Sequence, residues 1–213
     1  MRDVWTAVHR ERAALLDDLG TVPASAWDTP SPCPGWTVHD VLAHLVDDAS
    51  TTSWSFARDL VRSRFAFDLM NEQGVARELR ADPAETLEAF RAVRHRRSGA
   101  PAPAASRLVE IIVHGEDLRR PLGLRRRYPL GPTIAALRYQ RATSPAMGGG
   151  RERATGITLV LTDATLTGTV RIGSGPEARG SALALLLALA GRPVRRAELS
   201  GPGAEQLRVL TPG

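Results

Sequence analysis

Residues able to bind a metal ion or move a proton are concentrated in one apolar stretch, SRLVEIIVHGEDLRRPLG, at 106–123. At about 100° per residue, Glu110, His114 and Asp117 fall on one face of a helix, and apolar residues cover the rest. Such a helix is expected to be buried, and buried charges need partners. Side chains four residues apart lie side by side, so Glu110 and His114 can share a divalent metal ion. Unless a third ligand comes from elsewhere, a buried Glu–His ion pair, or one bonded to arginine, is the simpler interpretation.

Two more candidate residues lie near the start of the chain. His44 falls on the polar face of a predicted helix, more than about 100° from its apolar stripe, which favours a surface histidine. A functional role requires that face to line a cleft, where Asp48, one turn later, would contact a ligand residue or the substrate. Cys33 lies in the proline-rich loop 23–36, and the sequence shows no base beside it, so we interpret it as a small buried loop residue.

Composition excludes several classes of site. The chain has 213 residues, and its single cysteine excludes an internal disulfide framework and any cysteine-rich zinc site made by this chain alone. All 28 basic residues are arginine, and the formal charge is +5. These arginines form short clusters without interleaved aromatic residues, so we expect no nucleic-acid partner.

The chain reads as a globular protein that works in the cytoplasm. Its charged, amphipathic N-terminus does not resemble a signal peptide. The longest apolar run, 182–190, is far shorter than the roughly 20 residues of a membrane span, so we expect no membrane partner. The residues leave a monomer and a homodimer equally open.

Helical periodicity dominates the first part of the chain. It predicts a helix at about 3–19, a second from a capping box at Thr37 and Asp40 that continues to about residue 67, a third from Pro83, and the apolar helix 106–123. Four such helices suggest an up-and-down bundle, in which inward side chains of facing helices can form a metal site. Another helix is predicted at 132–141.

A glycine-rich segment, 144–153, marks the predicted domain boundary. Beyond it the pattern alternates, which predicts a strand at 157–161 and another through Leu166, Val170 and Ile172. An apolar helix at 181–190 and a short strand at 197–199 follow. The predicted fold class is α+β, with a four-helix bundle at 1–145 and a small α+β domain at 151–213.

Two motifs resemble a known family when they are taken together. They are SPCPGWTVHDVLAHL at 31–45 and EIIVHGEDLRRPLG at 110–123. Paired in this way, they resemble the mycothiol-dependent maleylpyruvate isomerase family of actinobacteria, part of the DinB-like superfamily of metal-binding four-helix bundles. The stretch GSGPEARGSALALLLALAGR at 173–192 is similar to the small C-terminal domain of that family, which is related in shape to sterol-carrier proteins.

The resemblance implies a function and a set of residues. It implies that His44, Glu110 and His114 bind a divalent metal, most commonly zinc, and that the thiol mycothiol is a cosubstrate. It also implies isomerisation of a carboxylated substrate or S-transfer to a small electrophile, with an arginine of the C-terminal domain binding the substrate. We place that arginine at Arg192, with Arg179 as the second choice. Asp117 or Asp48 would orient a ligand imidazole.

The segment TDATLTGTVRIGSG lacks a tryptophan that many relatives carry, so the pocket of the C-terminal domain is expected to differ from theirs. Three hypotheses follow from the sequence. The first is a mycothiol-dependent metalloenzyme. The second is a DinB-like metalloprotein that uses another thiol or a metal-bound water, and the third is a non-catalytic scaffold.

Overall fold

The computed structural model describes residues 2–164 and 170–208, which form two compact units, Met1–Arg126 and Arg127–Gly213. Within these described residues there are nine α-helices and one four-stranded sheet. The sheet lies in the second unit. The predicted α+β class, with a helical bundle followed by a small unit that contains the strands, is therefore confirmed.

The first unit is helical. It consists of α1 (Arg2–Leu19), α2 (Val38–Ser50), α3 (Ser53–Arg62), α4 (Phe67–Glu78), α5 (Pro83–Val93) and α6 (Ala105–Arg119). The four predicted principal helices correspond to α1, α2, α5 and α6, and these pack on one another as a bundle. Helix α4 covers α2, and α3 packs on α4.

Helix α2 begins as predicted but ends earlier. The Thr37 hydroxyl accepts a hydrogen bond from the backbone N–H of Asp40, and the Asp40 carboxylate accepts one from the N–H of Thr37, which is the predicted capping box. The predicted continuation to residue 67 is wrong, because Thr51 and Thr52 are extended. Thr52 and Ser55 form a second capping box that starts α3.

The core of the bundle is apolar, with its buried charges paired. Its largest side chains, none more than 1% exposed, are Leu15, Leu19, Leu42, Phe90, Leu108 and Ile112. Burial of each contributes about 1.5–3 kcal/mol. The fully buried Arg119 donates from Nε to Asp18 at 2.7 Å, and Arg126 donates to the buried Glu11 at 3.0 Å. Paired in this way, the charges avoid the cost of isolated burial.

The second unit combines helices with the sheet. Its elements are α7 (Leu130–Ala142), β1 (Thr158–Leu161), β2 (Arg171–Gly173), β3 (Glu177–Gly180), α8 (Ala182–Leu189), β4 (Leu199–Ser200) and α9 (Ala204–Leu207). The strand order is β2-β1-β3-β4. Strand β1 pairs with β2 in antiparallel fashion, and with β3 in parallel with Thr158 opposite Glu177.

The sequence did not predict strand β3, nor the short helix α9. The four residues of β3, EARG, carry two charges and show no apolar alternation. It becomes a strand because it pairs with β1 on one side and β4 on the other, and Ala178 is fully buried. Of the second predicted strand, Val170 and Ile172 are described, whereas Leu166 lies outside the described residues.

The boundary between the compact units lies earlier than the predicted domain boundary. Helix α7 packs on α8 and belongs to the second unit, whereas the sequence placed it at the end of the first domain. The division into domains at 1–145 and 151–213 stays a prediction.

Among the described residues, none of the helices is both long and apolar enough to cross a lipid bilayer. The expected cytoplasmic location stays a prediction.

Candidate metal centre

Helices α2 and α6 bring three metal-binding side chains together. His44 comes from the middle of α2, and Glu110 and His114 lie one turn apart on α6, which packs against it. One Glu110 oxygen, Oε2, lies 3.7 Å from His44 Nε2 and 3.4 Å from His114 Nε2. The two imidazole rings meet edge to face, with centroids 4.7 Å apart. Two nitrogens and one oxygen therefore converge within 4.8 Å of one another.

This donor set fits a divalent transition metal such as zinc. Zn²⁺ binds imidazole nitrogen and carboxylate oxygen at about 2.0–2.2 Å, which places neighbouring ligand atoms of a tetrahedral site about 3.4 Å apart. The Glu110–His114 separation matches that spacing, and the Glu110–His44 separation exceeds it by a small amount. Three protein ligands are also the number found in catalytic zinc sites, where a fourth position stays open.

Asp117 and Cys33 support the His114 ring from behind. His114 Nδ1 lies 3.0 Å from Asp117 Oδ2, and the Cys33 thiol donates to the same oxygen at 3.2 Å. Asp117 is only 1% exposed, so its carboxylate is shielded from solvent and bonds to other side chains. A carboxylate that accepts from Nδ1–H holds the tautomer in which Nε2 is free to bind a metal.

Cys33, His114 and Asp117 are themselves close enough to form a second metal-binding set. That set would need the Nδ1 atom of His114, which is already hydrogen-bonded to Asp117, and it would need the thiol to lose its proton. Of the two sets, His44, Glu110 and His114 therefore fit a metal ion better.

Burial and hydrogen bonding compete in setting the charges of these side chains. Burial is the largest influence on His114 and lowers its pKa, but hydrogen bonds to Asp117, Cys33 and Glu110 together raise that pKa well above its usual value. Burial raises the pKa of Glu110, whereas hydrogen bonds from His114 and His44 bring it well below its ordinary range. Without a metal ion these shifts favour an imidazolium–carboxylate pair, with whose proton a metal ion would compete.

His44 is buried, at 8% exposed, although its helical position favoured a surface histidine. That interpretation was wrong because the polar face of α2 is covered by α6 and by the loop before α2. Trp36 of this loop lies against the ring, with centroids 5.2 Å apart. His44 Nδ1 is buried and has no hydrogen-bond partner among the described residues, so packing against Trp36 and the Nε2 contact with Glu110 orient this ring.

A second polar cluster lies one turn from the three ligands. Asp48, four residues after His44, forms a close ion pair with Arg107, three residues before Glu110. Because a step forward along α2 matches a step backward along α6, the two helices run antiparallel. Arg12 of α1 lies 3.9 Å from the other Asp48 oxygen. Burial raises the pKa of Asp48, and Arg107 is the main opposing influence.

The remaining predicted site residues, Asp117, Asp48, Arg192 and Arg179, have different kinds of partner. Asp117 contacts the His114 imidazole, whereas Asp48 forms ion pairs with Arg107 and Arg12. Arg192 and Arg179 belong to the second unit, where Arg179 pairs with Glu177 at 2.7 Å and Arg192 donates to the carbonyl of Ala190 at 3.3 Å. Their roles in substrate binding stay predictions.

Three residues that surround His44, Glu110 and His114 were not predicted from the sequence to lie there. Arg107 lies on the same helical face as Glu110 and His114, so its spacing was a usable signal. Cys33 and Trp36 lie in a loop, where no periodicity indicates which residues reach α6 or His44. Only the folded path of that loop, which includes a backbone bridge between Pro30 and Thr37, places them.

Comparison with known proteins gives one sequence match. Residues 8–107 match the profile of the mycothiol maleylpyruvate isomerase N-terminal domain. The matched range contains His44 and Asp48 and ends before Glu110. No curated protein sequence matches the chain.

Two solved structures share the fold. One is described as the mycothiol-dependent maleylpyruvate isomerase, with a TM-score of 0.62 at 16% identity, and the match covers 95% of this chain and 93% of that one. The second is a point mutant of an enzyme with the same description, with a TM-score of 0.61, 15% identity and the same coverage. At these identities the likeness establishes the α+β fold, while function depends on the site.

Proposed function

We propose that this protein is a metal-dependent enzyme that uses a low-molecular-weight thiol, because residues 8–107 match the mycothiol maleylpyruvate isomerase N-terminal domain. The thiol proposed is mycothiol. The reaction is isomerisation of a carboxylated substrate or S-transfer to a small electrophile. The single observation that carries the proposal is the convergence of His44, Glu110 and His114 on one point between α2 and α6.

These three side chains would hold the metal through the two Nε2 atoms and a Glu110 oxygen. When bound, a zinc ion supplies a Lewis acid that lowers the pKa of a coordinated thiol, so that it is available as the thiolate nucleophile near neutral pH. Free thiols titrate near 8.5 and are mostly protonated there, which is why a thiol-using enzyme needs such a group.

Other residues of the chain keep the ligands in place. Asp117 accepts a hydrogen bond from His114 Nδ1–H and so directs Nε2 towards Glu110. The Cys33 thiol donates to the same carboxylate and helps to keep it oriented. Arg107 lowers the pKa of Glu110 and pairs with Asp48, so it favours the ionised form of the carboxylate ligand.

Arginine is the natural partner for the carboxylate of the proposed substrate, because a guanidinium binds a carboxylate through two parallel hydrogen bonds. Arg192 stays our first choice for this contact and Arg179 the second. Both are predictions from the family resemblance, and each needs its own substitution test against substrate KM.

Metal analysis with matched histidine variants tests the proposal. We expect the gently purified protein to carry about one zinc per chain, and His44→Ala and His114→Ala to carry less than about a tenth of that. The control is His95→Ala, which removes an exposed histidine of the same unit. The zinc form is then incubated with mycothiol and monochlorobimane, and the conjugate is measured against a protein-free background.

The outcomes separate the three hypotheses. Bound zinc and conjugate above background support the mycothiol enzyme. Bound zinc without conjugate contradicts the use of mycothiol and favours a metalloprotein that uses another thiol or water. Trace metal that is the same in wild type and in all three variants contradicts the metal site and leaves the bundle as a scaffold.

A further inference from the structure

The second unit contains a cavity of about 330 Å³ that no step of the proposed reaction uses. It lies between the end of α7, the turns at 151–157 and the loop after β2. Arg141, Arg151, Thr155 and Ser174 supply its polar wall. A cavity of this volume is in the range that holds a small metabolite.

Within the described residues, neither arginine of the cavity has a side-chain partner. Arg141 Nε is buried without a hydrogen bond, and neither side chain makes an ion pair with any residue in the described part of the chain. Other arginines of this unit do find carboxylates: Arg171 and Arg179 bind Glu177, and Arg195 binds Glu198. A buried guanidinium nitrogen without an acceptor is costly, so Arg141 favours an anion from outside the chain, and the exposed Arg151 places a second guanidinium on the same cavity.

The two guanidinium groups are held on one scaffold. Arg141 lies in the last turn of α7, and the backbone N–H groups of Gly150 and Arg151 donate to the carbonyls of Gln140 and Thr143 at the end of the same helix. The Thr155 hydroxyl donates to the carbonyl of Arg151 at 3.0 Å. The C-terminal end of a helix favours one nearby cation, but it does not account for a second guanidinium on the same wall.

The net charge of the second unit also favours binding of an anion. Residues 127–213 contain eleven arginines and five acidic residues, an excess of six positive charges, whereas residues 1–126 carry an excess of one negative charge. The positive charge of the protein therefore resides in the unit that contains the cavity. Such a field attracts small anions and raises their local concentration.

We propose that this cavity binds a small oxyanion with two negative charges, such as a short dicarboxylate or a phosphate, between Arg141 and Arg151. The Ser174 hydroxyl lies on the same wall and supplies a neutral donor. Two guanidinium groups match two anionic oxygens, which distinguishes a dianion from a monocarboxylate. The residues of this cavity belong to the second unit and include none of His44, Glu110 and His114, and the proposal does not depend on the proposed reaction.

Calorimetric titration of the full chain at constant ionic strength tests this site. The probes are succinate, inorganic phosphate and acetate. We expect saturable binding of succinate, phosphate or both, at least about tenfold tighter than acetate, and the preferred dianion identifies the source. Arg141→Gln and Arg151→Gln should each weaken that binding by about tenfold or more. The matched control is Arg138→Gln, which removes an exposed arginine of α7 outside the cavity.

Non-saturable binding of every probe would overturn the proposal, and so would an equal loss of affinity in Arg138→Gln, which would indicate only the general field. If circular dichroism shows that Arg141→Gln does not fold, Arg151→Gln decides the test, because Arg151 is exposed and its substitution should not disturb folding. Arg141→Lys, which keeps the charge but loses the planar fork, should retain intermediate affinity. Zinc content and bimane conjugation are measured on the same variants and should not change, so failure of this site and failure of the metal centre are distinguishable.

Discussion

At the scale of single residues, Asp117 is the group on which the hydrogen bonds around the ligands converge. It accepts from His114 at 3.0 Å and from Cys33 at 3.2 Å, and it is buried. We expect Asp117→Asn to weaken zinc affinity by about 10- to 100-fold, because a neutral amide holds the Nδ1–H tautomer less firmly. Zinc dissociation constants from competition with a chromophoric chelator measure this effect.

Two matched variants show whether the loss is specific. Asp17→Asn removes an exposed carboxylate of α1 and should leave the affinity unchanged. Cys33→Ser keeps a donor beside Asp117 and should retain most of the affinity. Wild-type affinity in Asp117→Asn would show that this carboxylate does not position the ligand.

The sequence predicted the polar line of α6 but not the environment of His44. Glu110, His114 and Asp117 could be placed on one face because helical spacing determines which side chains are neighbours. The burial of His44 could not be derived in this way, since it depends on which neighbouring element covers the second face of α2. The family resemblance supplied that link, and periodicity alone had favoured solvent.

At the scale of elements, the capping box of α2 determines where the helix that carries His44 begins. Thr37 accepts from the N–H of Asp40 at 3.2 Å, and Asp40 accepts from the N–H of Thr37 at 2.8 Å. We expect Thr37→Ala to lower the free energy of unfolding by about 1 kcal/mol, because the first turn loses a side-chain acceptor. Urea unfolding followed by far-UV circular dichroism measures this change.

The control for this prediction is Thr21→Ala, which removes an exposed hydroxyl that donates to the carbonyl of Asp18 after the end of α1. Its free energy of unfolding should change by less than about 0.5 kcal/mol. Equal shifts for both variants would show that the Thr37 cap adds nothing particular to α2.

The elements that the sequence predicted correctly are those with strong local signals. Helices α1, α5 and α6 have clear apolar stripes, and α5 has Pro83 at its first position after the Asp82 cap. Strand β3 has no such signal, because its structure depends on pairing with β1 and β4. The break after Ser50 was missed because the apolar pattern continues through it while two threonines provide a new cap.

At the scale of the whole molecule, the distribution of charge was not evident from the overall value. The formal charge of +5 combines a first unit that is nearly neutral with a second unit that is strongly positive. The charged residues can be counted from the sequence, but the boundary at Arg126 is needed to assign them to the two units. That boundary depends on the packing of α7 against α8, which is a long-range contact that periodicity does not encode.

Stability of the fold should also depend on pH through His39, which is buried against Trp27 and lies 2.8 Å from the Thr86 hydroxyl. Burial lowers the pKa of His39 below its ordinary value of 6.5, although Asp40, Asp28 and Asp82 oppose the shift. The unfolded chain therefore takes up this proton more readily than the folded chain. The stabilisation from neutral His39 is complete above pH 6.5 and is lost as the pH falls from there through the lowered pKa.

Urea unfolding of wild type and His39→Gln at pH 7.5 and at pH 5.5 isolates this contribution. Burial lowers the pKa of His9, which contributes with the same sign, whereas His114 without metal has the opposite sign because its pKa is raised. The difference between the two proteins cancels those shared contributions. We expect wild type to lose more unfolding free energy than His39→Gln on going from pH 7.5 to pH 5.5. An equal or smaller loss in wild type would mean that the folded protein accommodates the charged imidazole at residue 39 without cost.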